Sequence, residues 1–172
     1  MSEKYYFAYG SNMNLEQMEY RCPDAKVAER VTLRDYRLVF RGRRAGNGVA
    51  SILPEKGRKV DGLLWKITPG CERSLDFYEG YPHLYGKQEI TVHTMDGREV
   101  QAAVYIMNER YQSCPAYPSE SYLKGILDGC RQNHIPQDSV LQAVDETKKE
   151  LGKQNGLKIR PKSQSHRGKT DR

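Results

Sequence analysis

Two short segments of this 172-residue chain carry residue types suited to proton transfer or anion binding. The first is Tyr9-Gly10-Ser11-Asn12. A glycine-led polar turn between an aromatic strand and a helix can aim consecutive backbone N–H groups outward, which suits a carboxylate or an oxyanion. The same residues also read as a plain turn. The second segment is Leu75-Asp76-Phe77-Tyr78-Glu79-Gly80-Tyr81-Pro82, which places the carboxyl of Glu79 in the last turn of a predicted helix. A negative group there opposes the helix dipole, and burial against neighbouring aromatics would add to the effect, so its pKa is expected to rise. A carboxyl shifted towards neutrality can both take and give protons. A Glu79 frayed into water is the competing reading, and these residues alone leave the two open.

The elements that must position these groups follow from pattern and punctuation. Lys4 to Tyr9 is aromatic-rich and stops at Gly10, as a strand entering a tight turn does; Asn14 then caps a short helix with Leu15 and Met18 on one face. Lys26 to Arg41 reads as two strand pieces bent near Arg34-Asp35. Val49 to Pro54 and Val60 to Ile67 read as further strands parted by a turn at Pro54 to Gly57. Thr68-Pro69 starts a helix that runs to about Tyr78 and ends at Gly80-Tyr81-Pro82. Asp96-Gly97 marks a hairpin between Tyr85–Thr94 and Arg98–Met107. Ser119 opens a helix with Tyr122, Leu123, Ile126, Leu127 and Cys130 on its apolar face. A last helix uses Val140, Leu141 and Val144. Strands outnumber helices without regular βαβ alternation, so the fold class is a mixed α+β domain.

Several chemistries find no support. The chain lacks a G-x-S-x-G elbow, a Walker A loop and a G-x-G-x-x-G turn, so nucleotide cofactors are not expected. Cys22, Cys71, Cys114 and Cys130 are too far apart for a C-x-x-C zinc site, and the four histidines form no ligand pair, so no metal is indicated and buried reduced thiols are the default. The longest apolar runs fall far short of the ~20 residues of a membrane span. With no leader pattern at Met1 to Tyr5, a cytoplasmic protein is expected.

The net charge of +6 is uneven. Residues 148–172 hold nine Lys/Arg and two acids, leaving 19 basic against 20 acidic residues elsewhere. A neutral body argues against a surface built for phosphates. The expected division is a domain over residues 1–151 and a basic, disordered tail over 152–172 that aids solubility, with weak nucleic-acid contact through that tail as a rival.

Taken together, the two chemical segments resemble the gamma-glutamylcyclotransferase family in its broad sense, with the AIG2-like and gamma-glutamylamine members. The matching residues are Tyr6-Phe7-Ala8-Tyr9-Gly10-Ser11-Asn12, Gly48 to Ile52, Gly62-Leu63-Leu64-Trp65, Asp76-x-x-Glu79-Gly80 with Tyr85 after it, Val104-Tyr105, and Pro118-Ser119-x-x-Tyr122. The resemblance implies a small mixed β-barrel with flanking helices, a small γ-glutamyl substrate and no cofactor. It also implies that Glu79 is the catalytic acid/base, that Tyr6 to Ser11 hold substrate through their loop with Asn12 beside them, and that Tyr122 lines the pocket. Tyr85 and Tyr105 transfer as substrate-binding residues that could equally be strand packing.

The implied reaction is internal: the substrate α-amine attacks its own γ-carbonyl, closing 5-oxoproline and expelling an amine or amino acid. Whether the Gly10 turn holds the α-carboxylate or the oxyanion stays open, as does the leaving group. The basic Arg41–Asn47 loop, with Arg41, Arg43 and Arg44, and the Tyr81–Leu84 stretch are expected to face that leaving group. A non-catalytic ligand sensor on the same fold is the other rival.

Overall fold

The computed structural model describes residues 4–159. Five strands, β1 (Lys4–Ala8), β2 (Lys26–Arg41), β3 (Val49–Ile67), β4 (Tyr85–Thr94) and β5 (Glu99–Met107), close into a barrel in the order β1-β3-β2-β4-β5. All pairs are antiparallel except the closing one, where β1 meets β5 in parallel with Tyr6 opposite Ala103. Helices α1 (Leu15–Arg21), α2 (Pro69–Tyr78), α3 (Glu109–Gln112), α4 (Glu120–Gln132) and α5 (Asp138–Ile159) flank it. The expected mixed barrel with flanking helices is therefore the fold.

The two bent or broken strands of the sequence reading are each one element. In β2 the bend is real: Asp35 takes φ 62, and the register with β3 slips between Arg34 and Tyr36. The predicted turn at Pro54–Gly57 is an excursion of β3 at that slip, tied back by Gly57 N–H donating to the Asp35 carboxylate at 3.0 Å. A local turn signal thus marks a bulge, because long pairing on both sides overrides it. The short α3 has no periodicity long enough to be read from sequence.

Phe7, Phe40, Ile52, Leu63, Leu64 and Leu75 are fully buried in the core between barrel and helices. Packing is tight at Gly62, where an added Cβ would sit 2.4 Å from both the Ala8 carbonyl oxygen and the Phe7 ring. The missing side chain lets β1 lie close on β3, and β1 leads directly into the polar turn.

Helix α5 docks on β2 with Val140 and Ala143 buried, and Glu146 reaches Arg37 at 3.0 Å and Arg58 at 2.7 Å. It continues past the boundary expected at Leu151 to Ile159. The rest of the basic tail lies outside the described residues. Cys22, Cys71 and Cys130 are buried, whereas Cys114 is exposed; all four are free thiols. Among the described residues no helix is long and apolar enough to cross a membrane.

Gly62→Ala is expected to lower stability by about 1–3 kcal/mol through overpacking. A urea titration checks this, and a midpoint equal to that of the parent protein would contradict the close approach.

Candidate active site

The site is built from several chain segments, beginning with the end of α2. Thr68 caps its start, its hydroxyl accepting from Cys71 N–H, with Pro69 at the first helical position. At the other end Gly80 N–H donates to Phe77 O at 3.2 Å and Tyr81 N–H to Asp76 O at 2.9 Å, the paired bonds of a Schellman stop. Gly80 sits at φ 62, where a side chain would be strained, and so supplies the left-handed residue this stop needs. Glu79 is the residue just before it. The Glu-Gly pair therefore has a local cause: glycine ends the helix so that the preceding carboxyl turns inward.

Facing it is the end of β1. Gly10 leads into a single 3₁₀ turn, Ser11–Met13, closed by Met13 N–H to Gly10 O and Asn14 N–H to Ser11 O, both 3.1 Å. The N–H groups of Ser11 and Asn12 precede the first closing bond and remain donors, as at any helical start. Asn14 caps α1, accepting from Glu16 and Gln17 N–H. The turn is braced from behind by α4, through Asn133 to Met13 O at 2.8 Å and Asn14 to Gly125 O at 3.0 Å.

The Asn12 amide joins the two halves. Its nitrogen donates to Glu79 Oε1 at 3.2 Å and to the Tyr6 hydroxyl at 3.0 Å, while its oxygen accepts from Arg21 Nη1 at 2.5 Å. The same Arg21 nitrogen donates to Ser11 Oγ at 3.1 Å, and the indole of Trp65 donates to Asn12 O at 3.0 Å. Both functional ends of Asn12 are thus specified, and its NH₂ group is the end facing the carboxyl.

These residues border a cleft whose free space, mouth included, is about 320 Å³. Five of the 12 tyrosines line it: Tyr6, Tyr9, Tyr85, Tyr105 and Tyr122. Tyr85 hydroxyl donates to Ala50 O at 2.6 Å, Ala50 N–H donates to Tyr122 hydroxyl at 3.0 Å, and Tyr9 hydroxyl donates to Tyr105 O at 2.5 Å. Tyr105 stands edge-on to Tyr6 at 5.7 Å between ring centres and donates its hydroxyl to Asp76 at 2.5 Å. Lys87, opposite Tyr105 across the β4–β5 ladder, holds Asp76 at 2.9 Å and Glu72 at 2.8 Å.

Burial raises the phenols of Tyr6, Tyr9, Tyr85 and Tyr105 well above their ordinary range and pushes Tyr122 up to about 12, so all five are neutral at pH 7. Burial also pushes the Glu79 carboxyl up to about 7, while the Arg21 charge and the Asn12 hydrogen bond pull the other way. Desolvation is the leading cause, ahead of the helix-end argument available from sequence. The result is a proton acceptor poised at neutral pH, facing a turn with free N–H donors.

Glu79, Tyr6, Tyr9, Gly10, Ser11, Asn12, Tyr85, Tyr105 and Tyr122 all border the cleft. Phe7 and Ala8 do not: both are buried in the core, Phe7 against the space left by Gly62. Ala50 and Arg21 were not legible as site residues; Arg21 sits on a surface helix where an arginine reads as solvated charge. Arg41, expected to face the leaving group, is buried instead, its guanidinium donating to Gln112 O at 2.6 Å and pairing with Glu150 of α5. Among the described residues no three His, Cys, Asp or Glu side chains gather as a metal site.

Residues 6–124 match the family model described as gamma-glutamyl cyclotransferase, AIG2-like. The chain is 35% identical over 140 residues to gamma-glutamylcyclotransferase of Mus musculus, covering 77% of this chain and 73% of that protein. It is 35% identical over 139 residues to the protein of the same name from Homo sapiens, covering 76% and 72%. A solved gamma-glutamyl cyclotransferase superposes with a TM-score of 0.72 at 31% identity, covering 86% of this chain and 87% of that one.

A carboxyl with its pKa raised from 4.5 to about 7 binds its proton more tightly folded than unfolded, so its burial weakens the fold increasingly as pH climbs through that window. Glu79→Gln should therefore match the parent protein in stability below pH about 4.5 and exceed it by roughly 1–3 kcal/mol above pH about 7, after allowance for partial exposure. Denaturant midpoints at the two pH values check this; a gap that closes as pH rises would contradict the desolvated carboxyl.

Proposed function

For a chain that belongs to the gamma-glutamyl cyclotransferase, AIG2-like family, we propose that it is an enzyme converting a small γ-glutamyl compound into 5-oxoproline and a free amine or amino acid. The observation that carries this reading is the partly buried Glu79 carboxyl, raised to about 7 and facing the Gly10–Asn12 turn across a phenol-lined cleft.

The substrate brings its own nucleophile, so no activated serine or cysteine is required, and Ser11 acts in positioning. An α-amine of pKa about 8 is largely ammonium at neutral pH and cannot attack. Glu79 takes one proton from it, and the freed amine bonds to the γ-carbon. As the bond from that carbon to the departing nitrogen breaks, Glu79 returns the proton there. The second proton shed by the new ring nitrogen follows the same route, so the leaving group departs as an ammonium. The Ser11 and Asn12 N–H groups are the donors for the substrate's anionic oxygen, and the neutral phenols of Tyr6, Tyr9, Tyr85, Tyr105 and Tyr122 shape the rest of the cleft without adding charge. Excluding water strengthens each of these contacts.

A panel of γ-glutamyl amino acids and γ-glutamylamines, read by 5-oxoproline release, tests the reading. Glu79→Gln is expected to lower kcat by about 10²–10⁴ with substrate binding retained; turnover close to that of the parent protein would remove Glu79 from the role.

The pH dependence supplies a second check. Because the carboxylate is the working base, kcat/KM should fall as pH drops below about 7. Arg21 favours the charged carboxylate, so Arg21→Met should move that acid limb to higher pH. An acid limb left in place would mean that the Arg21 charge is not felt at Glu79.

A further inference from the structure

Beside the cleft, on the outer side of the last turn of α2, lies a second and largely apolar depression. Phe77, Tyr81, Leu84 and Tyr111 form its apolar walls and Arg43 its charged one, and Asp76 borders it too. The two spaces adjoin at α2: Asp76 accepts from the hydroxyl of Tyr105, a wall of the cleft, and Gly80 of the groove directly follows Glu79. The groove is thus one wall's thickness from the carboxyl of Glu79, with Gly80 and the Asp76–Tyr105 contact between the two spaces.

Its chemistry is specific. Phe77 is 84% exposed, Tyr81 41% and Leu84 36%, a run of apolar surface that a small domain ordinarily covers or uses. The Asp76 charge is already met by Lys87 at 2.9 Å. Arg43 makes no ion pair with the described residues; its guanidinium lies over the Tyr111 ring at 4.4 Å from the centre and donates to the Tyr111 hydroxyl. That stacking orients the cation but leaves its charge unneutralised, which fits a carboxylate arriving from solution.

We propose that this groove is the leaving-group subsite, and that it selects γ-glutamyl conjugates of α-amino acids with aromatic or large apolar side chains. Arg43 takes the free α-carboxylate of the departing amino acid, and Phe77, Tyr81 and Leu84 take its side chain. The proposal rests on the reading of Glu79 as the proton-transfer group of a γ-glutamyl cyclisation, and it adds no chemical step to that reaction.

Three substrates test it: γ-glutamylphenylalanine, γ-glutamylglycine, which lacks the side chain, and γ-glutamylphenethylamine, which lacks the carboxylate. With the parent protein, kcat/KM for 5-oxoproline release should be highest for the phenylalanine conjugate, about tenfold or more above each of the others. Arg43→Met should shrink the phenylalanine-to-phenethylamine ratio about tenfold, and Phe77→Ala should narrow the phenylalanine-to-glycine ratio. Equal kcat/KM for the phenylalanine and phenethylamine conjugates, or an Arg43→Met variant that lowers both alike, would overturn the subsite and leave the role of Glu79 standing. Release of 5-oxoproline from none of the three would overturn both.

Discussion

The arrangement depends on keeping one carboxyl out of water without giving it a counterion in direct contact. Among the described residues Glu79 receives a single side-chain hydrogen bond, from Asn12, and the nearby guanidinium of Arg21 binds Asn12 and Ser11 rather than Glu79 itself. A direct Arg–Glu pair would pull the carboxyl towards the acidic range and leave it a poor base at neutral pH. An apolar box with no cation nearby would drive it much higher and leave it protonated. The amide of Asn12, placed between acid and base, produces the intermediate outcome: a charge felt at one remove, and a pKa of about 7.

The barrel converges on this point. Parallel closure of β1 on β5 brings Tyr6 edge-on to Tyr105 and delivers the polar turn to the same end of the barrel as the stop of α2. The absent side chain at Gly62 permits β1 to approach closely enough for the turn to reach Glu79, and α4 braces the turn from behind. The phenols fill the remaining walls with hydrogen-bonding surface that carries no charge at neutral pH, so they add nothing to the Arg21 charge felt at Glu79. Burying the Glu79 carboxylate there costs stability at neutral pH, as functional sites commonly do.

Much of this was legible in the sequence because local rules and global fold agree. The Thr68-Pro69 start, the Gly80 stop, the Asp96-Gly97 hairpin and the Asn14 and Ser119 caps are short-range devices whose residues announce them. The bulge at Asp35 and Gly57 was legible as a break but not as a continuous pairing, since continuity is decided by partners distant in the chain. Glu79 and the Gly10 turn could be picked out as chemistry by residue type, and their resemblance to a known family joined them. Arg21 could not: nothing in a surface helix tells which of its charges turns inward, and only its hydrogen bonds to Ser11 and Asn12 do so. Arg41 and Arg43 are two positions apart in one basic stretch, yet one is buried against α5 and the other borders the groove, a split that depends on where β2 ends.

One detail of the cleft wall bears on how its tyrosines are to be understood. Opposite Phe40 of β2, Ala50 directs its N–H and C=O away from that strand, and among the described residues no third strand lies alongside to meet them; the hydroxyls of Tyr122 and Tyr85 stand in for one. These two phenols are thus the hem of the sheet as well as the lining of the chamber. Trimming either ring of its oxygen would orphan a main-chain group in a sheltered place, and the resulting loosening of the fabric would pass for a defect in catalysis even if no bound molecule ever touched that hydroxyl.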